Sequence, residues 1–208
     1  MNNNSPVTEI MYLGHASIRL TSQSGTVIYI DPAIIDNAQR EWFSIPADIV
    51  LITHEHDDHN QLFALTLHDN AVVIRATDSI TDGEYNTISI KGIEIEAVSA
   101  YNKNHSRESS VGFIITIDGT VIYVAGDTSR TEQMETFNGR NIDYAFFPID
   151  GIYNMDAKEA GECAEIIGAK NNIPYHTKNG MLFDMNVAEN FNTPNRLILE
   201  PGEKILRK

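Results

Sequence analysis

Short runs rich in Ile, Val and Tyr recur along the chain, separated by glycines and polar pairs, which is the pattern of β-strands joined by turns. Residues 7–12 and 17–20 predict two strands joined by Gly14-His15-Ala16. Gly25 marks a turn, and residues 26–30 predict a third strand that stops at Asp31-Pro32. Three short strands linked by turns suggest an antiparallel meander. Trp42-Phe43 and Pro46 lie in a connection, after which Ile49-Val50-Leu51-Ile52 reads as a buried strand. Residues 60–68 place Leu62, Phe63, Leu65 and Leu67 in a helix-compatible arrangement and predict a short helix, followed by a strand over 72–76.

From 87 to 126 the pattern is strand-rich. Strands are predicted over 87–90, 93–100, 111–117 and 120–125, divided by Lys91-Gly92, a loop at 101–110, and Asp118-Gly119. An Asp-Gly pair between two apolar runs is a strong hairpin signal, because both residues accept the left-handed backbone a tight turn demands. Residues 131–137 predict a helix and 144–148 a buried strand. Asp156 is a good N-cap for a helix over 157–168, with Glu159 at the capping-box spacing. Residues 173–176 are extended, 181–191 predict a helix, 197–199 a strand, and Pro201-Gly202 a turn. Strands dominate each half and the clearer helices follow them. That order fits two sheets packed face to face with helices outside, not a regular βαβ array.

Composition narrows the partners more than the fold. At 208 residues the chain is expected to form one domain, 1–208, with a flexible polar start at 1–6. With 15 Lys+Arg against 29 Asp+Glu the formal charge is -14, a surface that repels nucleic acid and anionic membranes and argues against a nuclease. The one cysteine, Cys163, can form no internal disulfide, and no apolar stretch approaches the roughly 20 residues of a membrane span. With no signal-peptide pattern at the start, the expected compartment is the cytoplasm.

The densest chemistry is Thr53-His54-Glu55-His56-Asp57-Asp58-His59, which carries three of the chain's seven histidines. Imidazoles and carboxylates packed this closely at a strand end repel one another when charged and are costly to desolvate. A divalent metal removes both costs by taking neutral imidazole and ionised carboxylate as ligands. His54 and His56, two apart, would point to one side of an extended segment, while Asp58 and His59 can turn to a second point. Four donors in six residues exceed what one tetrahedral ion takes from so short a stretch, so two metals fit better. Further donors at strand ends are His105, Asp127 and His176, with His15 in the first turn. Asp57 is expected to face solvent or steer a ligand, His68 to lie on the surface, and Cys163 to be a small buried side chain.

At this point the chain resembles a known superfamily, the metallo-β-lactamase-fold hydrolases, whose central His-x-His-x-Asp-His motif is matched by residues 54–59. Within it the resemblance is to the compact metal-dependent hydrolases related to ascorbate-6-phosphate lactonase. It rests on Leu13-Gly14-His15-Ala16-Ser17, Ile30-Asp31-Pro32, Ala125-Gly126-Asp127-Thr128, the segment 148–155 and Pro174-Tyr175-His176, in order along the chain. The resemblance implies an α+β fold, the four-layer αββα sandwich of the metallo-β-lactamase type. It further implies that His54, His56 and His105 hold one metal, that Asp58, His59 and His176 hold the second, and that Asp127 bridges both. His15 and Asp31 are expected to orient ligands or wall the pocket. Lys103, Arg107 and Lys178, in the presumed site loops, are the places to look for an anchor if the substrate carries phosphate or carboxylate.

The expected activity is hydrolysis. Two divalent ions, zinc first with manganese or iron as alternatives, would lower the pKa of a bridging water from about 15.7 toward 7. The resulting hydroxide would attack a small ester, lactone or phosphoester, with Asp58 and Asp127 holding the metals and steering its proton. The competing readings are a phosphodiesterase or nuclease of the same fold, a flavin-linked di-iron redox protein, and a non-catalytic metal-binding module. The di-iron relatives carry a glutamate at the second histidine position, where this chain has His56, and a degenerate module should have lost ligands that this chain retains.

Overall fold

A computed structural model describes residues 7–208; the flexible start expected at 1–6 lies outside them. In chain order the strands and helices are β1 (Thr8–Gly14), β2 (Ser17–Thr21), β3 (Val27–Ile30), β4 (Ala47–Ile52), β5 (Leu67–Arg75), α1 (Ala76–Ser79), β6 (Ile80–Thr81), β7 (Glu84–Tyr85), β8 (Thr87–Ile90), β9 (Ile93–Ser99), β10 (Val111–Ile117), β11 (Thr120–Val124), β12 (Tyr144–Pro148), α2 (Ala157–Ile167), β13 (Asn172–Tyr175), α3 (Met185–Ala188) and β14 (Lys204–Arg207). They form two six-stranded sheets, β14-β1-β2-β3-β4-β5 and β13-β12-β11-β10-β9-β8, with β6 and β7 as a separate hairpin.

The sheets pack because their strands are apolar on both faces, with alternate residues serving alternate layers. Ile28, Ile30, Ile49 and Leu51 join Phe113, Ile115, Val124 and Phe146 in the core between the sheets. Tyr29, Val50 and Ile52 point the other way and are covered by Phe43 with Trp42, Leu62 and Leu65. On the far side, Ile114, Tyr123, Ala145 and Phe147 meet Ala160, Cys163, Ala164 and Ile167 of α2. The result is helix, sheet, sheet, helix: the α+β sandwich expected, although the layer outside the first sheet is built from 3-10 turns at Asn37–Phe43 and Leu62–Ala64.

Several local expectations hold. β1, β2 and β3 pair antiparallel as a meander. Asp118 and Gly119 turn the β10–β11 hairpin with φ of 49° and 78°. Asp156 caps α2 by accepting the Glu159 N–H at 2.8 Å, an arrangement worth about 1 kcal/mol, and Gly168 ends it in the left-handed conformation. Glu159 does not complete the capping box: its carboxylate accepts the Arg130 N–H instead.

Three expectations are corrected. The helix over 60–68 is a single 3-10 turn, after which β5 begins five residues earlier than the strand expected at 72. Leu62 and Leu65 reach the outer face of the first sheet from that turn while Phe63 is exposed, so the leucine spacing reflects a packed turn, not a helical stripe. Residues 131–137 are helical as expected, as a 3-10 helix over Glu132–Phe137. Of 181–191 only Met185–Ala188 is helical, because residues 181 and 182 are drawn against His15. The strand expected at 197–199 is replaced by an isolated bridge at Arg196, and the C-terminal strand is β14, paired with β1.

β3 and β4 run parallel in one sheet, and β11, β12 and β13 run parallel in the other. Their carboxyl ends therefore deliver Asp31, residues 53–59, Asp127, Asp150 and His176 to one end of the sandwich. Backbone bonds tie the two sheets together there, Val111 N to Thr53 O at 2.9 Å and His176 N to His15 O at 2.8 Å.

Candidate metal centre

Three non-glycine residues at this end hold a left-handed backbone: His15 at φ 51°, Asp31 at 45° and His176 at 44°. Such conformations cost of order 1 kcal/mol or more and persist where surrounding contacts over-determine them. Here each strained residue turns its side chain out of a strand end and into a shared cluster.

Asp31 organises the central motif. Its carboxylate accepts the Thr53 N–H at 2.8 Å and the Thr53 hydroxyl at 2.6 Å, and Oδ2 lies 2.9 Å from His59 Nδ1. The Thr53 hydroxyl, having donated to Asp31, is left to accept from His54 Nδ1 at 3.0 Å. His105 Nδ1 faces Asn102 Oδ1 at 3.0 Å, and His176 Nδ1 sits 3.3 Å from Asp150 Oδ2. The His54, His59 and His105 imidazoles are thus held by an acceptor at Nδ1, which puts the proton there and the lone pair on Nε2, while His176 Nδ1 has the Asp150 carboxylate beside it without a formed hydrogen bond.

The free nitrogens converge. Donor atoms of His54, His56 and His105 lie within 4.8 Å of one another, as do those of His15, Asp58, His59 and His176, and those of His54, His59 and Asp127. Asp127 spans the two histidine groups: Oδ1 is 3.5 Å from His59 Nε2, and Oδ2 is 3.5 Å from His105 Nε2 and 3.6 Å from His176 Nε2. His105 Nε2 and His56 Nδ1 face each other at 3.3 Å. The sequence-derived set of His54, His56, Asp58, His59, His105, Asp127 and His176 is brought together whole.

His54 Nε2, His59 Nε2, His176 Nε2 and Asp127 Oδ1 are buried with no hydrogen-bond partner among the described residues. Leaving one such atom unpaired costs roughly 1–3 kcal/mol, so four around one cluster, with donors of His54, His59 and Asp127 within 4.8 Å of one another, call for a bound partner. Four lone-pair donors directed at the same space satisfy each other only through a proton or a cation. A divalent metal fits this donor set, all nitrogen and oxygen, and the residues present suit two such ions.

The electrostatics agree. Burial lowers the His54 pKa, reinforced by the neighbouring His59, and burial likewise lowers His105. Burial also opposes charge on His59, but Asp127, Asp31 and Asp58 outweigh it and raise its pKa to about 9. Against the cost of burial, the surrounding histidines hold the Asp127 carboxyl well below the usual range, and the His15 and His59 rings do the same for Asp58. Asp150, despite burial, is lowered to about 2 by the adjacent His176. The centre is a negative well that takes up positive charge.

His15 differs from the ligand candidates because both its nitrogens are engaged, Nδ1 with Met181 O at 2.9 Å and Nε2 with Asp58 Oδ2 at 3.1 Å. It packs against the His176 ring at 4.0 Å between centroids and fixes Asp58, whose side chain is 33% exposed. Asp57, His56 and His68 are exposed, and Cys163 is buried under the outer face of the second sheet, away from the cluster.

A cavity of about 350 Å³ opens over the cluster, walled by His56, Asp58, His105, Asp127 and His176 together with Asn104, Tyr153 and Asn179. The three basic anchor candidates are not in it. Lys103 is exposed outside the lining; Arg107 lies over the Tyr101 ring at 5.6 Å and borders a separate groove with Tyr85 and Glu132. Lys178 turns to Asp184 at 3.7 Å. Sequence nearness to a ligand did not decide where these long side chains go.

Two functional positions escaped sequence reading. Asp150 and Asn102 fix His176 and His105, and both also tie the site loops, Asn102 through bonds to Tyr153 O and Asn154 Oδ1. Asp150 had a readable signal, a carboxylate two residues past the buried strand β12, as Asp31 lies one residue past β3. Asn102 had none.

The sequence profile of the β-lactamase superfamily domain matches residues 9–176. The chain belongs to this superfamily. It is 30% identical to a UPF0173 metal-dependent hydrolase of Methanospirillum hungatei over 93% of this chain and 96% of the relative. A solved structure from Parabacteroides distasonis, assigned as a metal-dependent hydrolase, shares 28% identity with a TM-score of 0.75, covering 93% of this chain and 92% of that one. Igni18, a metallo hydrolase of Ignicoccus hospitalis, shares the fold at 20% identity and a TM-score of 0.72, covering 97% of this chain and 99% of its own. No helix among the described residues is long and apolar enough to cross a membrane.

Proposed function

We propose that this chain is a binuclear metal-dependent hydrolase acting on a small ester, lactone or phosphoester. The observation that carries the reading is the set of buried, partnerless Nε2 and Oδ1 atoms of His54, His59, His176 and Asp127. His54, His56 and His105 would hold one ion, Asp58, His59 and His176 the other, and Asp127 both. Zinc suits this nitrogen and oxygen set best, with manganese or iron as alternatives.

When bound, the ions supply a water acidic enough to lose a proton near neutral pH and polarise the substrate oxygen. The chain's residues do the rest. Asp127 balances charge between the two groups. Asp58, steadied by His15 at 3.1 Å and partly open to the cavity, is placed to receive a proton at its carboxylate. Asp31, Asn102 and Asp150 keep the imidazole lone pairs aimed inward. Cys163 is buried away from the cavity and its pKa is pushed up to about 12 by burial, so it offers no thiolate nucleophile. The compact loops walling the cavity suit a small substrate in the cytoplasm.

Metal content of the purified protein, measured beside an esterase, lactonase and phosphodiesterase panel and the Asp127→Ala variant, tests this. Near two ions per chain and loss of activity in the variant support it. Less than one ion per chain, with the variant as active as the parent, would overturn it.

A further inference from the structure

We infer that the part of the substrate lying away from the scissile bond is uncharged and hydroxyl-rich, not phosphorylated or carboxylated; this rests on the hydrolase reading above. Beyond the metal-facing wall the cavity is lined by two amides and a phenol, Asn104, Asn179 and Tyr153. No lysine or arginine among the described residues lines it. Recognition of a remote phosphate or carboxylate draws on guanidinium, ammonium or a helix N-terminus. Of the cations nearest in sequence, Lys178 turns to Asp184, Arg107 to the Tyr101 ring, and Lys103 is exposed and outside the lining.

The groups present are also mildly hostile to a second anion. Asp58, a carboxylate partly open to solvent, forms part of the same wall. Asn104 is fixed, its backbone N–H donating to Asn102 Oδ1 at 2.8 Å and its Nδ2 to Tyr153 O at 3.0 Å. Its Oδ1 makes no hydrogen bond among the described residues, leaving an acceptor that a hydroxyl can donate to and an anionic oxygen cannot. Tyr153, 44% exposed, adds a phenol able to donate or accept. Metal charge offsets negative charge that develops at the reacting atom, but a second anion further along the cavity meets only neutral groups and Asp58. A polyol-like substituent matches the wall; a phosphate does not.

The test is a matched pair, D-ribono-1,4-lactone and its 5-phosphate, with the zinc-loaded protein. The expected kcat/KM is at least tenfold higher for the uncharged lactone; equal values or a preference for the phosphate would overturn the inference. In Asn179→Lys that ratio should shrink at least threefold, and an unmoved ratio counts against the assigned wall. Binding gives a readout independent of turnover: NMR titration of 1,4-anhydro-D-ribitol and its 5-phosphate, with metal-free and zinc-loaded protein. The uncharged ether should bind at least tenfold tighter in both forms. If that preference stands while neither lactone nor any ester or phosphodiester of the panel is hydrolysed, the hydrolase reading falls and the ligand class survives. If the preference is reversed while hydrolysis proceeds, only this inference falls, and if neither ether binds, it falls as well.

Discussion

Asp31 Oδ2 and His59 Nδ1 lie 2.9 Å apart with both side chains fully buried, joining the end of β3 to the far end of the His-rich loop. The same carboxylate holds Thr53, which in turn meets His54. One aspartate therefore sets the tautomer of one imidazole directly and of another through a hydroxyl; the two rings cluster separately, His54 with His56 and His105 and His59 with Asp58 and His176, and meet in a third cluster with Asp127.

Asp31→Asn preserves volume but offers one carbonyl where two carboxylate oxygens served Thr53 and His59. Metal affinity is expected to fall about 10–100-fold, the usual effect of losing a carboxylate behind a ligating histidine. Competition against a chelator of known affinity measures it. An unchanged affinity with a native circular dichroism spectrum would show that Asp31 serves the fold alone.

Asp150→Asn acts on one group only. Asp150 reaches His176 at 3.3 Å and has no bond to His54, His56 or His105 among the described residues. Mild chelation should therefore strip one ion from the variant while the other stays, giving about one ion per chain where the parent keeps about two. Simultaneous loss of both would mean that the two groups do not bind independently.

How much of this could be read beforehand differs by scale. The strands, the Asp118-Gly119 hairpin and α2 were legible because each is set by residues a few positions apart. That these histidines and aspartates would cluster was legible for a related reason: ligand chemistry restricts the residue types, and strand ends restrict the places. The errors fell where tertiary contact overrides local pattern. Leu62 and Leu65 pack from a 3-10 turn, and residues 181 and 182 are pinned to His15, which leaves too few residues for the helix expected over 181–191. Arg107 and Lys178 each sit two residues from His105 and His176 in sequence, yet Tyr101 and Asp184 decide their direction. Asn102 is invisible because its bond to His105, three residues on, is one any loop asparagine could make, and its bonds to Tyr153 and Asn154 span 51 and 52 residues.

Cys163 gives a pH-dependent prediction away from the metals. Burial raises its pKa from 9.0 to about 12, so the folded chain keeps the thiol proton where the unfolded chain loses it. The unfolded state then binds fewer protons, and the contribution is fully present below about pH 9 and declines as pH rises toward 12. Over that window the thermal midpoint of the parent should fall more steeply than that of Cys163→Ala. At pH 8 a thiol reagent should react only after denaturant is added. Rapid labelling of the native protein at that pH would contradict the buried, neutral thiol.

Gly126 links the fold to the chemistry most directly. Its φ is +68°, and a Cβ there would meet Val111 O at 2.7 Å and the Thr53 side chain at 3.2 Å. Val111 donates its N–H to Thr53 O, so the crowded point is the seam where the two sheets join beneath the histidine cluster. Gly126→Ala must open that seam or twist the residue that follows, Asp127. The expected cost is roughly 1–3 kcal/mol from backbone strain, which lowers the melting point of a chain this size by about 2–12 °C. Because Asp127 is the carboxylate that both histidine groups share, metal content should drop along with stability. Thermal unfolding of the metal-free variant separates the two effects: a lowered midpoint without metal, together with weakened zinc uptake at temperatures where the variant is folded, places the damage in the seam. A variant that unfolds like the parent and still loses zinc would put it in the orientation of Asp127 alone.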